Sequence, residues 1–303
     1  MNNYIFENQF KQEIHREAAK IGFKISASKS FTDTLLDFLT VRMKLIDKRP
    51  RVAIMSPPLL NDFFTHPKRK EIESIFNIAK NGGDLNRFQS KKLLESRFHD
   101  HLLNEWNIHH FHLSLKKVGK SKLESRGNEL LFAYIDDEQI LFLGLAKHTP
   151  GIFADTKWIE ILQDYFPKVL KPFEMKNWKD IYPKVNAKER QMLWNKGYTI
   201  GMTKVREKVY FSPGMGRMTS GHGNDVVTLQ GNIIRWMHKI DLQIVESLNE
   251  ICNYLKIPKD KIKFIIRFGE ENLELCELSS RMKILTYDEE IIPKTEIMNK
   301  ITE

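Results

Sequence analysis

The first hundred residues follow a helical pattern of apolar positions. Phe10, Ile14, Ala18 and Ile21 recur at helical spacing, and a similar series runs through 32–46. Prolines at 50, 57 and 58 interrupt regular structure, and further helices are predicted over 69–79 and 90–103, on either side of the turn sequence NGGDLN. The opening of the chain is therefore predicted to be helical.

After Trp106 the period of the pattern changes from 3.6 to 2. The runs IHHFHLSLK (108–116), LLFAYI (130–135) and QILFLGLAKH (139–148) predict three strands, the last two joined as a hairpin. Together they predict a central antiparallel sheet. A helix with Trp158, Ile159 and Leu162 on one stripe is expected to follow it.

The last third of the chain predicts mixed structure. We expect a strand around 205–211, a glycine-rich loop PGMGRMTSGHG (213–223), a long helix over about 224–255, and strands near 261–268 and 273–278. The predicted fold is α+β. Its regions are a helical N-terminal part (1–84), a central sheet domain (85–175) and a C-terminal α+β domain (190–303).

Composition places the chain among ordinary globular proteins, with 303 residues, 41% hydrophobic and 29% charged. The longest apolar run, Ile140 to Ala146, has the length of a strand and is too short to span a bilayer. The first residues carry acids and amides where a signal peptide needs an apolar segment, so we expect a cytoplasmic protein without membrane partners. Cys252 and Cys276 give neither a disulfide framework nor a CxxC metal spacing.

Positive charge predicts a polyanionic partner. The chain has 48 Lys and Arg against 39 Asp and Glu, a formal net charge of +9. Such a field raises the local concentration of nucleic acid, and basic stretches at HPKRK, SKK and KKVGKSK fall within the first 125 residues. We therefore take RNA as the expected partner, with Lys116, Lys117 and Lys147 as candidate contacts.

Histidines are concentrated around the predicted sheet. Six of the ten fall within fifty residues: His99, His101, His109, His110, His112 and His148. On the strand at 108–116 side chains alternate, so Phe111 and Leu113 are expected to face a core. His110, His112 and Ser114 point the other way, and we expect that face to be open to solvent.

Two imidazoles on one surface can act as general base and general acid in a single reaction. RNA cleavage needs such a pair, since a 2′-hydroxyl must lose a proton while the leaving 5′-oxygen gains one, and a nearby cation must stabilise the charged phosphorane. Lys116, Arg126, Lys147 and His148 lie near the predicted strand ends, where such groups are useful.

Other interpretations of these histidines remain open. They can be structural, bonding to backbone or water. They can also bind a metal, with His148, Asp100 or Glu105 completing the shell, although no fixed signature such as HExxH is present. The run FHLSL matches the strand motif of two-histidine phosphoesterases, but only one copy is visible. We assign no metal and no cofactor.

The glycine-rich loop also has two interpretations. It can be a flexible connection, or its backbone N–H groups together with Arg217, Ser220 and His222 can hold a phosphate. The loop is neither a Walker A nor a GxGxxG sequence. On the second interpretation Arg217 is a candidate RNA contact.

The parts assembled so far resemble the RelE-like toxin ribonucleases, within the wider group of metal-independent nucleases that includes colicin-type enzymes. The resemblance rests on a helical lead-in, the strand IHHFHLSLK, Arg126 before a second strand, and the hairpin NELLFAYIDDEQILFLGLAKH, over about 85–170. It implies His110, His112, Arg126 and His148 as catalytic residues. RelE-type toxins are much shorter and usually rely on Arg, Lys and Tyr, so ribosome dependence is not carried over. The runs GGDLNRFQSKKLL and NEWNIHHFHLSL, with the downstream TSG, are also similar to those of a group of bacterial proteins.

The sequence therefore predicts a metal-independent endoribonuclease with histidine acid and base groups, acting as a toxin or in phage defence. Its expected partners are RNA and an antitoxin or other regulatory protein. A non-catalytic nucleic-acid-binding or regulatory protein is the alternative, and a metal-dependent hydrolase is the third hypothesis.

Overall fold

The computed structural model describes residues 6–114, 128–268 and 273–286. Its helices are α1 (Glu7–Lys20), α2 (Phe31–Arg42), α3 (Pro57–Phe63), α4 (Arg69–Lys80), α5 (His101–Trp106), α6 (Lys157–Tyr165), α7 (Pro167–Leu170), α8 (Ala187–Asn195) and α9 (Asn224–Leu255). Its strands are β1 (Val52–Met55), β2 (Ile108–His112), β3 (Glu129–Ile135), β4 (Gln139–Lys147), β5 (Met202–Val205), β6 (Lys208–Phe211), β7 (Phe264–Phe268), β8 (Leu273–Glu277) and β9 (Lys283–Thr286). The predicted α+β class is confirmed. Of the helices in these ranges, none has the length and apolar character needed to cross a bilayer.

The segment interrupted by prolines is more regular than the sequence predicts, since it holds both β1 and α3. Ser56 caps α3 by accepting a hydrogen bond from the Leu59 N–H, and its hydroxyl donates to the Leu143 carbonyl oxygen at 2.6 Å. Pro57 and Pro58 occupy the first helical positions, where a missing N–H has no cost. The helix predicted over 90–103 is wrong in its extent, because the structure has a 3-10 turn at Lys91–Leu94 and then α5.

The chain divides into two compact units, and the division differs from the predicted one. The first unit takes residues from 1–43, 94–97 and 226–303, and the second takes 44–93 and 98–225. In the first unit the two ends of the chain share one core, where Phe268 of β7 packs against Phe10 and Phe38 at ring-centroid distances of 5.5 and 5.9 Å. Contacts between segments so distant in the sequence cannot be predicted from the local pattern of apolar positions.

The second unit is built on a four-stranded sheet in the order β1-β4-β3-β2. The pairs β2–β3 and β3–β4 are antiparallel, as predicted, whereas β1 pairs with β4 in parallel, so the sheet is mixed. His112 lies opposite Leu130, which lies opposite Ala146. Two residues further along, the N–H of His148 donates to the Asn128 carbonyl oxygen at 2.9 Å. This register brings the ends of β2 and β4 to the same end of the sheet as the start of β3.

Both faces of this sheet are covered. On one face Phe111, Leu131 and Phe142 join a buried cluster with residues of α3 and α4. On the other, Phe132 stacks on Trp158 of α6 with ring centroids 3.9 Å apart. His110 and His112 lie on this second face, so the expectation that it is open to solvent is wrong.

Candidate functional site

The strand that carries the central histidines is entered through a short, well-capped helix. Asp100 caps α5, its Oδ1 accepting a hydrogen bond from the Leu103 N–H at 3.1 Å. Asn107 ends the helix in the left-handed conformation (φ 54°), where Asn is one of the better-tolerated side chains. The strand β2 begins at the next residue. The entry into the strand that carries His110 and His112 is thus fixed by local backbone chemistry.

Two histidines flank one phenylalanine on this face of the sheet, and a third histidine lies beside one of them. The ring of Phe153 lies 5.0 Å from that of His110 and 5.2 Å from that of His148, between centroids. The rings of His110 and His112 are 5.9 Å apart, edge to face. We call His110, His112, His148 and Phe153 the histidine cluster. The sequence placed its three imidazoles near one another, and the structure does bring them together.

Access to the cluster differs from one ring to the next. His112 is 7% exposed and the His110 side chain 10% exposed, whereas His148 follows β4 directly and is exposed. Oδ2 of Asp100 lies 3.8 Å from Nδ1 of His110. This separation is longer than a hydrogen bond, so the carboxylate acts on the ring through its charge. His110 is thus a nearly buried ring beside a carboxylate, and His148 is the ring that meets solvent.

The opposite face of the sheet is also basic at this end of the strands. Nε2 of His66 lies 3.1 Å from Oε1 of Glu129, and Nζ of Lys68 lies 3.7 Å from Oε2 of the same carboxylate. Lys147 lies opposite Glu129 in the β3–β4 register and is exposed. One carboxylate therefore stands beside three groups that are cationic or can become so.

Three of the predicted residues, Lys116, Lys117 and Arg126, lie outside the described residues. They belong to the segment 115–127, which has five Lys or Arg and one Glu. This segment joins Ser114, just after β2, to Asn128, just before β3, so both of its attachment points are at the end of the sheet where the histidine cluster lies.

Arg217 is placed differently from an open surface contact. It is 6% exposed, and its Nη2 donates to the carbonyl oxygens of Trp194 and Tyr198 at 3.1 and 3.2 Å. Burial lowers the pKa of its guanidinium, and the nearby Glu105 partly offsets that effect. Its assignment to RNA binding stays a prediction.

Sequence reasoning missed two members of the site. Phe153 stands on a 3-10 turn after Gly151 (φ 84°), and nothing in the pattern links it to β2. Asp100 entered only as a possible metal ligand, although its position before α5 is a signal for a helix cap. Among the residues that the structure describes, no group of three or more His, Cys, Asp or Glu side chains is arranged to hold a metal ion.

Comparison with known proteins adds no further assignment: no family model matches the chain, and neither a curated protein nor a solved structure matches it significantly.

Proposed function

We propose that this protein is a metal-independent endoribonuclease whose acid and base groups are in the histidine cluster. The observation that carries the proposal is the convergence of His110 and His148 on Phe153, with a carboxylate behind His110. The strand that carries His110 and His112, Arg126 before the second strand, and the hairpin that ends in basic residues are the features on which the resemblance to RelE-like ribonucleases rests.

In the proposed reaction Nε2 of His110 takes the proton of a ribose 2′-hydroxyl. The 2′-oxygen forms a bond to phosphorus while the bond from phosphorus to the 5′-oxygen breaks, and His148 gives that oxygen a proton. The products are a 2′,3′-cyclic phosphate and a 5′-hydroxyl. Arg126 supplies positive charge to the phosphorane, whereas Lys147, on the opposite face of the sheet, contacts the RNA away from the scissile bond. His112, buried beside His110, acts as a positioning residue.

Cleavage of end-labelled RNA in excess EDTA is the decisive experiment. We expect wild-type protein to release fragments with cyclic phosphate ends, and His148→Gln and His110→Gln each to lose that activity. His238→Gln, an exposed position in α9, is the matched control and should cut normally. Undiminished cutting by both cluster variants would overturn the proposal. Activity that disappears in EDTA would point instead to the metal-dependent hydrolase.

A non-catalytic nucleic-acid-binding protein is the second candidate, favoured by the burial of His110 and His112. It predicts RNA binding that weakens steeply with salt and no cleavage product over hours. The proposed toxin or defence role predicts growth arrest on expression in a cytoplasm, relieved by His148→Gln. An antitoxin partner would relieve the same arrest when co-expressed.

A further inference from the structure

A second group of basic side chains lies where the glycine-rich loop packs against α5. The N–H of Gly214 donates to the Glu105 carbonyl oxygen at 3.0 Å, and that of Gly216 to the Asn104 carbonyl oxygen at 2.8 Å. These bonds fix the loop against α5, which argues against a merely flexible connection. The rings of His99 and His222 are then 5.3 Å apart, edge to face.

Positive groups dominate the surroundings of these imidazoles. The charged neighbours that lower the pKa of His99 are His222, Arg217 and Lys44, and those that lower the pKa of His101 are Arg217 and His99. Burial is the larger cause for both rings. Every one of these neighbours is a cation or can become one. We call His99, His101, Arg217 and His222 the loop cluster.

Two polar atoms of the loop cluster are buried and have no hydrogen-bond partner among the residues that the structure describes: Nε of Arg217 and Nδ1 of His101. Arg217 makes its two side-chain hydrogen bonds to carbonyl oxygens, and among the described residues it forms no ion pair with a carboxylate. A buried guanidinium whose counter-charge is only partial is costly, so a compensating anion is the expected occupant.

Glu105, the acid that acts on Arg217, supplies only part of that compensation. Oε1 of Glu105 accepts from the Thr199 hydroxyl at 2.5 Å, and Oε2 accepts from the Ser212 hydroxyl at 2.9 Å. Both oxygens are thus held by neutral donors. Burial also raises the pKa of Glu105, which weakens its negative charge further.

We propose that the loop cluster binds a phosphate group, with Arg217 as the buried donor and the partly exposed rings of His99, His101 and His222 as the entrance. Guanidinium and imidazole N–H groups are suited to a tetrahedral oxyanion, because each donates to a different oxygen. The phosphate is either free inorganic phosphate or the terminal phosphate of an RNA. This site shares no residue with the histidine cluster and does not depend on the nuclease proposal.

Titration calorimetry with inorganic phosphate at low ionic strength tests the site. We expect saturable binding with one site per chain, weakened about tenfold by His101→Gln and by His222→Gln, each of which removes one imidazole that can carry charge. His238→Gln, which belongs to neither cluster, should bind as the wild type does. Normal RNA cleavage by His101→Gln and His222→Gln separates failure of the phosphate site from failure of the nuclease. Arg217→Lys should weaken binding as well, with its folding checked by thermal melting. If that variant does not fold, the two histidine variants decide.

The source of the phosphate is distinguished by two RNA probes of the same short sequence. An RNA with a 5′-phosphate that binds more tightly than both inorganic phosphate and the 5′-hydroxyl RNA identifies an RNA end as the ligand. Equal binding of inorganic phosphate and the phosphorylated RNA identifies a small phosphate ligand. The proposal is overturned if neither inorganic phosphate nor the 5′-phosphate RNA binds saturably. It is also overturned if all loop-cluster variants bind phosphate as the wild type does.

Discussion

Asp100 caps the helix that leads into β2 and places its second carboxylate oxygen near His110. One carboxylate oxygen accepts from the Leu103 N–H at 3.1 Å, and the other lies 3.8 Å from Nδ1 of His110. The same side chain therefore contributes to stability through one oxygen and to the orientation of the imidazole through the other. The two contributions can be separated, because Asn caps helices about as well as Asp but carries no charge.

We expect Asp100→Asn to leave stability nearly unchanged and to lower RNA cleavage by about tenfold, through loss of the charge that orients His110. Asp100→Ala removes the cap as well and should cost about 1 kcal/mol of unfolding free energy in addition. Chemical denaturation and single-turnover cleavage of both variants measure the two effects. A neutral effect of Asp100→Asn on cleavage would show that His110 does not need the carboxylate.

How far the sequence predicts this site depends on the range of the contacts. The alternation in IHHFHLSLK places His110 and His112 on one face correctly, since it follows from strand geometry alone. The covering of that face was missed, although a signal existed: LLFAYI and ILFLGLA are continuous apolar runs, which are typical of strands buried on both faces. Phe153 could not have been found, because its contact with His110 depends on how a distant turn packs onto the sheet.

The domain organisation could not be predicted for the same reason. Helix α1 shows a clear amphipathic pattern, and the pattern says which face is buried but not what covers it. In the structure Phe6 and Phe10 meet Phe264 and Phe268, from the far end of the sequence. Local periodicity predicts elements, and tertiary contacts decide which elements share a core.

Stability should depend on pH through the loop cluster. The pKa values of His99 and His101 are lowered from 6.5 to about 4, by burial first and then by neighbouring cationic groups. These neighbours are His222, Arg217 and Lys44 for His99, and Arg217 and His99 for His101. Between these values the unfolded chain binds protons that the folded chain does not, so stability is full above about pH 6.5 and falls as pH decreases toward 4. Below that range this contribution stays constant.

Urea denaturation followed at pH 7 and pH 5 measures this loss. His101→Gln removes one of the two titrating rings and should reduce the difference between the two midpoints. Inorganic phosphate at saturating concentration should reduce it in the wild type as well, because a bound anion favours the protonated imidazoles. An equal pH dependence in wild type and His101→Gln would contradict the assignment to this ring.

Gly221 allows the close approach of the glycine-rich loop to His99. Its φ is +89°, and a Cβ at this position would lie 2.8 Å from Nε2 of the imidazole. Gly197 has a similar φ of +86° with nothing within 4 Å of its Cβ position, which makes it a matched control for the backbone strain alone. We expect Gly197→Ala to cost about 1 kcal/mol, and Gly221→Ala to cost about 1 to 2 kcal/mol more through displacement of His99.

Thermal melting of these two variants, with phosphate titrations of each, checks that expectation. Gly221→Ala should also weaken phosphate binding, because His99 forms part of the entrance to the loop cluster, whereas Gly197→Ala should not. If Gly221→Ala and Gly197→Ala lose the same stability, the His99 imidazole moves aside freely. His99 would then have no fixed position in the loop cluster.

Gly144 makes room for the indole that covers the histidine face of the sheet. A Cβ there would lie 3.3 Å from Cζ3 of Trp158, which is 1% exposed and stacks on Phe132. Gly144→Ala should therefore overpack this face and cost about 1 to 3 kcal/mol. Gly231, inside α9 with nothing within 4 Å, is the converse case, and Gly231→Ala should stabilise by about 0.5 to 1 kcal/mol through helix propensity. Denaturant midpoints of both variants measure these opposite signs. If Gly144→Ala leaves the free energy of unfolding unchanged, Trp158 can shift without loss of stability. The packing of Trp158 on this face of the sheet would then be less rigid than the contact distances indicate.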